Sequence, residues 1–263
     1  MVLVDDIDVK FSRLVEIMAL LRSEKGCPWD RDQTFASLRQ HLLEEAYEVM
    51  ESIDDGKFDE LPGELGDLLL QIVFQAQIAA EEDLFDIGDV IDSITEKLIR
   101  RHPHVFGDKQ IDSTEEQIIH WERSKVKKEG KKSAIDGIPK LLPALVRSYR
   151  MQNKAATVGF DWSDIEPVWE KVEEEWSELR EAAESGNREK VEDELGDLLF
   201  SIVNLSRFLK TNPEDALRKT IGKFDRRFRE VESEFRQRNR SMTDVSLAEM
   251  DEVWDRVKKK EIS

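Results

Sequence analysis

The sequence predicts an all-α protein built as a tandem duplication of one helical unit, each copy a four-helix bundle. Three observations carry that reading. In residues 171–200, KVEEEWSELREAAESGNREKVEDELGDLLF, Lys171, Glu174, Glu175 and Glu178 fall at i, i+3, i+4 and i+7, which is one face of a helix. After a turn at Ser185-Gly186-Asn187, Lys190, Asp193, Glu194 and Asp197 repeat that spacing. The same pattern also occurs 130 residues earlier, where Glu44, Glu45, Glu48, Glu64 and Asp67 match Glu174, Glu175, Glu178, Glu194 and Asp197 at one constant offset. The string Glu-Leu-Gly-Asp-Leu-Leu is identical in both copies. Finally, 37% of residues are charged, glycine and proline are sparse, and no β-type alternation competes with the helical period.

Residues 8–23 read as an amphipathic helix with Phe11, Leu14, Val15, Met18 and Leu21 on one side. A loop, Gly26-Cys27-Pro28-Trp29-Asp30, follows, and its counterpart is Gly159-Phe160-Asp161-Trp162 at an offset of 133. Thr34 is the expected N-cap of the first carboxylate helix, which stops near Gly56. Pro62 suits the first turn of the next helix. A third starts after Asp86 and ends before His102-Pro103. Ser113 with Glu116 makes a capping box for a fourth, which carries Trp121.

From Lys125 to Pro143 the composition shifts to Lys, Gly and Pro. The expected domains are therefore 1–125 and 146–263, joined by a linker over 126–145. The second copy shows helices from about Asp164, from Asn187, from Asn212-Pro213 through Phe235, and from a capping box at Ser246 and Glu249. Lys97, Arg100 and Arg101 align with Lys223, Arg226 and Arg227, while Trp121, Arg123 and Lys125 align with Trp254, Arg256 and Lys258.

Folded back as antiparallel pairs, the carboxylate helices gather five or six acids. Val172, Trp176, Leu179, Val191, Leu195, Leu198 and Leu199 lie beside the stripes, so the acids sit near the buried seam. Crowded carboxylates raise one another's pKa unless a cation neutralises them, and a hard divalent ion with oxygen ligands suits that need. A solvated, salt-bridged face explains one such stripe; it does not explain five acids kept in register twice.

Two copies of EExxE followed by ExxD resemble the MazG family of nucleoside triphosphate pyrophosphohydrolases, over nearly the whole chain. The resemblance implies an all-helical, Mg²⁺-dependent enzyme, with Mn²⁺ as a substitute ion. It would hydrolyse NTPs or dNTPs to NMPs and pyrophosphate by attack of metal-activated water on the α-phosphorus. It implies metal ligation at Glu175, Glu178, Glu194 and Asp197. It implies nucleotide contacts at Lys171, Glu174, Lys190, Asp193, Asp197, Lys223, Arg227, Trp254 and Lys258. Glu175 and Glu174 are the expected catalytic acids, and Glu174 is available as a base because it is not assigned to metal. Trp254 has two readings, stacking on a base and core packing.

The two copies differ at positions expected to meet the nucleotide, of which the cations Lys171 and Lys190 are the two expected to meet phosphate. Lys171, Lys190 and Asp193 are replaced in the first by His41, Glu60 and Gly63. The second copy is therefore expected to be the catalytic one, and the first a scaffold with little or no catalysis. A di-iron bundle is disfavoured, because none of the four histidines has an acid three residues before it. A non-enzymatic helical interaction protein with a solvated acidic face is the alternative.

The formal net charge of −18 argues against a nucleic-acid polymer as ligand but leaves room for a mononucleotide carried with Mg²⁺. One cysteine, Cys27, allows no intrachain disulfide and fits a reducing, cytoplasmic setting. No signal peptide or membrane span is expected, since the longest apolar stretch is interrupted by Gln71, Gln75 and Gln77. Amphipathic helices in small bundles suggest a homodimer.

Overall fold

A computed structural model describes residues 4–107 and 133–262, and every described element is helix or turn. Contacts divide the chain into two compact units, Met1–Ile111 and Asp112–Ser263. The expected capping box at Ser113 and Glu116, and Trp121, Arg123 and Lys125, lie outside the described residues.

In the first unit, α1 (Val4–Arg22) packs on α4 (Leu61–Glu81), and α4 also contacts α3 (Leu38–Asp54) and α5 (Ile87–Arg101). Met18, Leu38, Val73, Phe74 and Ile78 form the buried core, with Phe11, Leu14, Val15 and Leu21 packed against it. The apolar face expected on the first helix is thus the face that is used. The segment after α1 is not simply a loop, because Pro28–Asp32 forms a short helix, α2, with proline at its N-terminus.

Thr34 acts one turn earlier than expected. Its Oγ1 accepts from the Ser37 amide at 3.2 Å, and Ser37 Oγ accepts from the Thr34 amide at 2.9 Å. The pair closes a turn that leads into α3, and Ser37 rather than Thr34 occupies the cap position. Asp86 caps α5 through a reciprocal box with Asp89, at 3.1 and 3.0 Å. A four-residue helix, α6 (Pro103–Phe106), follows.

In the second unit, residues 133–143 are turns, although 126–145 reads as linker in the sequence. A helix absent from the sequence reading, α7 (Ala144–Ala156), comes next, so this unit has five long helices rather than four. Its inward face includes buried Gln152 and Lys154, and polar residues on the buried side blur the apolar period. Lys154 Nζ donates to the carbonyl oxygen of Asp136 at 2.7 Å, which ties the turn segment to the helix.

The remaining helices are α8 (Glu166–Ser185), α9 (Arg188–Phe208), α10 (Pro213–Gln237) and α11 (Leu247–Ile262). α8 and α9 form the most extensive pair, α7 lies against α9 and α10, and α10 packs on α11. Asn187 and Asn212 cap α9 and α10 by accepting two backbone amides each. The box at Ser246 and Glu249 forms as expected, with bonds of 3.1 and 3.3 Å.

Both carboxylate pairs turn on a glycine in the left-handed region, Gly56 at φ +69° and Gly186 at φ +68°. The repeated turn keeps the two acid stripes in register. The apolar residues beside the stripes are only partly buried, however. Leu198 is inside, whereas Trp176, Leu195 and Leu199 are exposed.

Candidate active site

Sequence spacing puts Glu174, Glu175 and Glu178 on α8 and Glu194 and Asp197 on α9, and the tight α8–α9 pairing makes them neighbours. Glu175, Glu194 and Asp197 each offer a carboxylate oxygen, all within 4.8 Å of one another. Glu175 is 5% exposed, unusual for an acid at a helix seam. Its Oε1 pairs with Lys171 Nζ at 2.7 Å, while Oε2 is buried with no hydrogen-bond partner.

Lys171 also reaches Glu174 Oε1 at 3.0 Å. The bond to Glu175, and then that to Glu174, raises its pKa and holds it charged. Burial, followed by the charges of Glu175 and Glu194, pushes Glu178 up. A divalent cation fits this donor set. It would be ligated by hard oxygens, relieve the mutual repulsion and satisfy the orphaned Oε2.

The first unit repeats the cluster, with oxygens of Glu45, Glu64 and Asp67 also within 4.8 Å. Burial and then Glu48 and Asp67 raise the pKa of Glu45. The cation at the Lys171 position is replaced by His41, whose Nδ1 lies 3.3 Å from Glu44.

Beside the second cluster lies a cavity of about 410 Å³ between α7, α8, α9 and the loop at Phe160 to Trp162. Lys171, Glu175 and Asp197 border it together with Trp162, Gln152 and Asn204. A volume in the range of roughly 300–1,000 Å³ is typical of small-molecule sites. Arg207 fixes the loop across it, with Nη2 at 2.7 Å from Asp161 Oδ2 and Nε donating to Asn153 at 3.1 Å.

The MazG nucleotide pyrophosphohydrolase domain family matches residues 33–106 and 165–231, more than half the chain and once in each unit. The chain belongs to the MazG family. It is 48% identical over 259 residues to the nucleoside triphosphate pyrophosphohydrolase of Escherichia coli K12, covering 96% of this chain and 98% of that protein. A Thermotoga maritima protein named nucleoside triphosphate pyrophosphohydrolase/pyrophosphatase MazG is 49% identical over 252 residues, 95% of this chain and 96% of that one. A Mycobacterium tuberculosis nucleoside triphosphate pyrophosphohydrolase is 39% identical over 150 residues, 56% of this chain and 46% of its own length.

The other residues singled out by the MazG motif are not brought to the cavity. Lys190 and Asp193 are exposed in the first two turns of α9. Arg227 lies over the Trp254 ring at 6.0 Å, and Phe224 is 5.3 Å from that ring. Trp254 packs against the core of Val231, Phe235, Val253 and Val257. Lys223 and Lys258 are exposed on α10 and α11, and none of these four borders the cavity.

Conversely, Gln152 and Asn204 border it and escaped the sequence reading, and Phe160 was read there only as part of the tryptophan loop. The signal was present. The 133-residue offset of the tryptophan loop, carried backwards, aligns Met151 with Met18 and would have revealed α7.

Proposed function

We propose that this chain is a divalent-cation-dependent nucleoside triphosphate pyrophosphohydrolase with its catalytic centre in the second unit. The observation that carries the reading is the convergence of Glu175, Glu194 and Asp197 beside a cavity that Lys171 also borders. Glu175, Glu194 and Asp197, with Glu178, would hold Mg²⁺, for which Mn²⁺ would substitute. When bound, the ion supplies charge neutralisation at the phosphates and a more acidic water.

The chain's own groups do the rest. Lys171, already charged, moves from Glu175 and Glu174 to a phosphate oxygen as the acids become occupied. Glu174, exposed and paired with Lys171 on α8, accepts the proton of the attacking water. The water oxygen bonds to the α-phosphorus, the bridging bond to the β-phosphate breaks, and pyrophosphate leaves with NMP behind. Lys190 and Asp193, and Lys223, Arg227, Trp254 and Lys258 from α10 and α11, complete nucleotide binding.

The first unit keeps the acids and serves as a scaffold. A second copy of the chain covers the exposed face of Trp176, Leu195 and Leu199 in a homodimer. One cysteine and a nucleotide substrate fit the cytoplasm.

The test is pyrophosphate release from mixed nucleoside triphosphates with and without Mg²⁺, run in ¹⁸O-labelled water. Label in NMP and loss of turnover in EDTA are expected. Label in free phosphate with NDP as co-product, or full turnover by metal-free protein, overturns the assignment. No release from any nucleotide favours a non-enzymatic role.

A further inference from the structure

One wall of the second-unit cavity is a single thickness of chain with solvent behind it. Phe160, Asp161 and Trp162 border the cavity, yet Phe160 is 82% and Trp162 44% exposed. The segment leaves α7 through Gly159 at φ +89°, where the amides of Gly159 and Phe160 donate to the carbonyls of Ala156 and Ala155 at 3.0 and 3.1 Å. That is the left-handed glycine closure of a helix C-terminus. Regular structure resumes at Ile165, whose carbonyl accepts from the amides of Val168 and Trp169 at 3.0 and 3.1 Å, with Pro167 in the first turn of α8.

Between those ends the segment is loosely held. Among the described residues, 161–164 make no backbone–backbone hydrogen bond. The Trp162 amide and the Ser163 hydroxyl are satisfied within the segment, by Asp161 and Asp164. The Asp161 carboxylate is, among the described residues, the one polar tie from 161–164 to another element. Arg207 Nη2 donates to its Oδ2 at 2.7 Å, and Nη1 to its Oδ1 at 3.4 Å.

Arg207 is fixed from its other side. Its Nε donates to Asn153 on α7 at 3.1 Å, and Nη1 also donates to Asn204 on α9. A guanidinium–carboxylate pair is directional and strong, and here it joins an anchored arginine to a segment otherwise held at its ends. The first unit secures the matching segment differently. At the two offsets of the repeat, Pro28 stands at the place of Asp161 and Gln77 at that of Arg207. Pro28–Asp32 is helical there, the Asp30 and Gln33 carbonyls accept from Arg22, and the Glu24 carbonyl accepts from Arg31. A helical turn and several bonds hold that segment, whereas an ion pair holds its counterpart.

We propose that residues 160–165 form a lid on the second-unit cavity, hinged at Gly159 and latched shut by the Asp161–Arg207 pair. Breaking the pair frees the segment while both flanking helices keep their terminal bonds, and it opens a way through this wall to the space bordered by Lys171, Glu175 and Asp197. The inference rests on the nucleoside triphosphate reading above for what passes the lid, whereas the latch itself is a property of the ligand-free chain.

Fluorine NMR of the full chain carrying fluorotryptophan tests the latch without nucleotide, with signals assigned by Trp162→Phe and Trp29→Phe. The Trp162 signal is expected to show the μs–ms exchange of lid motion, and the Trp29 signal to lack it. Asp161→Asn is expected to shift the Trp162 signal and leave that of Trp29 in place. A second arm measures association and dissociation of the α,β-methylene analogue of ATP, with Mg²⁺, by stopped flow. A charge-assisted pair holds a lid shut by roughly 10–100-fold, and association scales with the fraction of time the site is open. Asp161→Asn is therefore expected to raise both rate constants at least ~10-fold and to move Kd by less than about threefold. Loss of a plain ligand contact would raise dissociation alone. A Trp162 signal identical in wild type and a folded Asp161→Asn protein overturns the proposal, and so does faster dissociation with unchanged association. Should Asp161→Asn not fold, a wild-type Trp162 signal without exchange overturns it by itself. Failure of wild type to bind the analogue would sink the nucleotide reading instead, and the fluorine measurement still decides the latch.

Discussion

Replacing Glu175 by Gln separates what the acid does for folding from what it does for chemistry. The side chain keeps its shape and loses its charge. Without a cation, Glu175 repels Glu194 and Asp197, whose nearest oxygens lie within 4.8 Å. In a water-like dielectric each such pair costs about 1 kcal/mol, and more as the local dielectric falls. Against that relief stands the charge-assisted bond to Lys171, worth about 1.5–3 kcal/mol, although Lys171 retains Glu174 at 3.0 Å. The two effects are of similar size, so the cation-free Glu175→Gln protein is expected to unfold within about 1–2 kcal/mol of wild type. Its turnover is expected to fall at least ~100-fold, as on removing a main electrostatic contact to the transition state. Thermal unfolding with and without Mg²⁺, beside pyrophosphate release, reads both quantities. Wild type should gain Tm with Mg²⁺ through its second-unit site, and the variant should lose most of that gain. A variant with turnover within tenfold of wild type, or with the whole Mg²⁺-dependent gain, would refute the reasoning.

Three further outcomes follow from the same geometry. Glu45→Ala, the matching change in the first unit, should leave kcat within a few-fold of wild type, and loss of activity there with a working Glu175→Ala would reverse the assignment of the catalytic unit. Glu249 is held down to about 2, first by Arg240 and then by Ser246. Its folded pKa lies below the ordinary carboxylate value, so its contribution is present above about pH 4.5 and is lost as the pH falls through 2. Glu249→Gln should therefore flatten the acid limb of the stability profile between those values, measured by urea unfolding. Gly196 lies mid-helix, and a Cβ there would meet nothing within 4 Å. Gly196→Ala should stabilise the isolated chain by roughly 0.5–1 kcal/mol in urea unfolding. A loss of stability instead would mean that something approaches that backbone closely.

The sequence carried most of the fold because its signals were periodic and doubled. The acids, the glycine turns at Gly56 and Gly186 and the caps at Asp86, Asn187, Asn212 and Ser246 are local features whose chemistry determines their geometry. The convergence of Glu175, Glu194 and Asp197 was legible because a helical face and a short turn leave little freedom. The cavity was not. It depends on α7, whose buried Gln152 and Lys154 resemble surface residues, and on Asn204, which a periodic reading places in the core without saying that it borders an opening. Likewise, nothing in the spacing of Arg227 and Trp254 says that they pack on one another rather than at the acids.

The bond from Lys154 to the Asp136 carbonyl has a practical bearing on how the second repeat could be excised. Composition suggests cutting at residue 146, at the far edge of the lysine-rich connection. Such a fragment would remove Ile135, which forms part of the cavity wall, and would strip a buried ammonium of a carbonyl at 2.7 Å. Losing a hydrogen bond from a buried ammonium is costly enough to loosen α7, and with it Gln152 on the same helix. A fragment starting at 146 that neither folds nor binds would therefore say nothing about whether the repeat is autonomous. The segment joining the two copies supplies Ile135 to the cavity wall and the Asp136 carbonyl to Lys154, so a fragment that tests autonomy is better begun before Ser133.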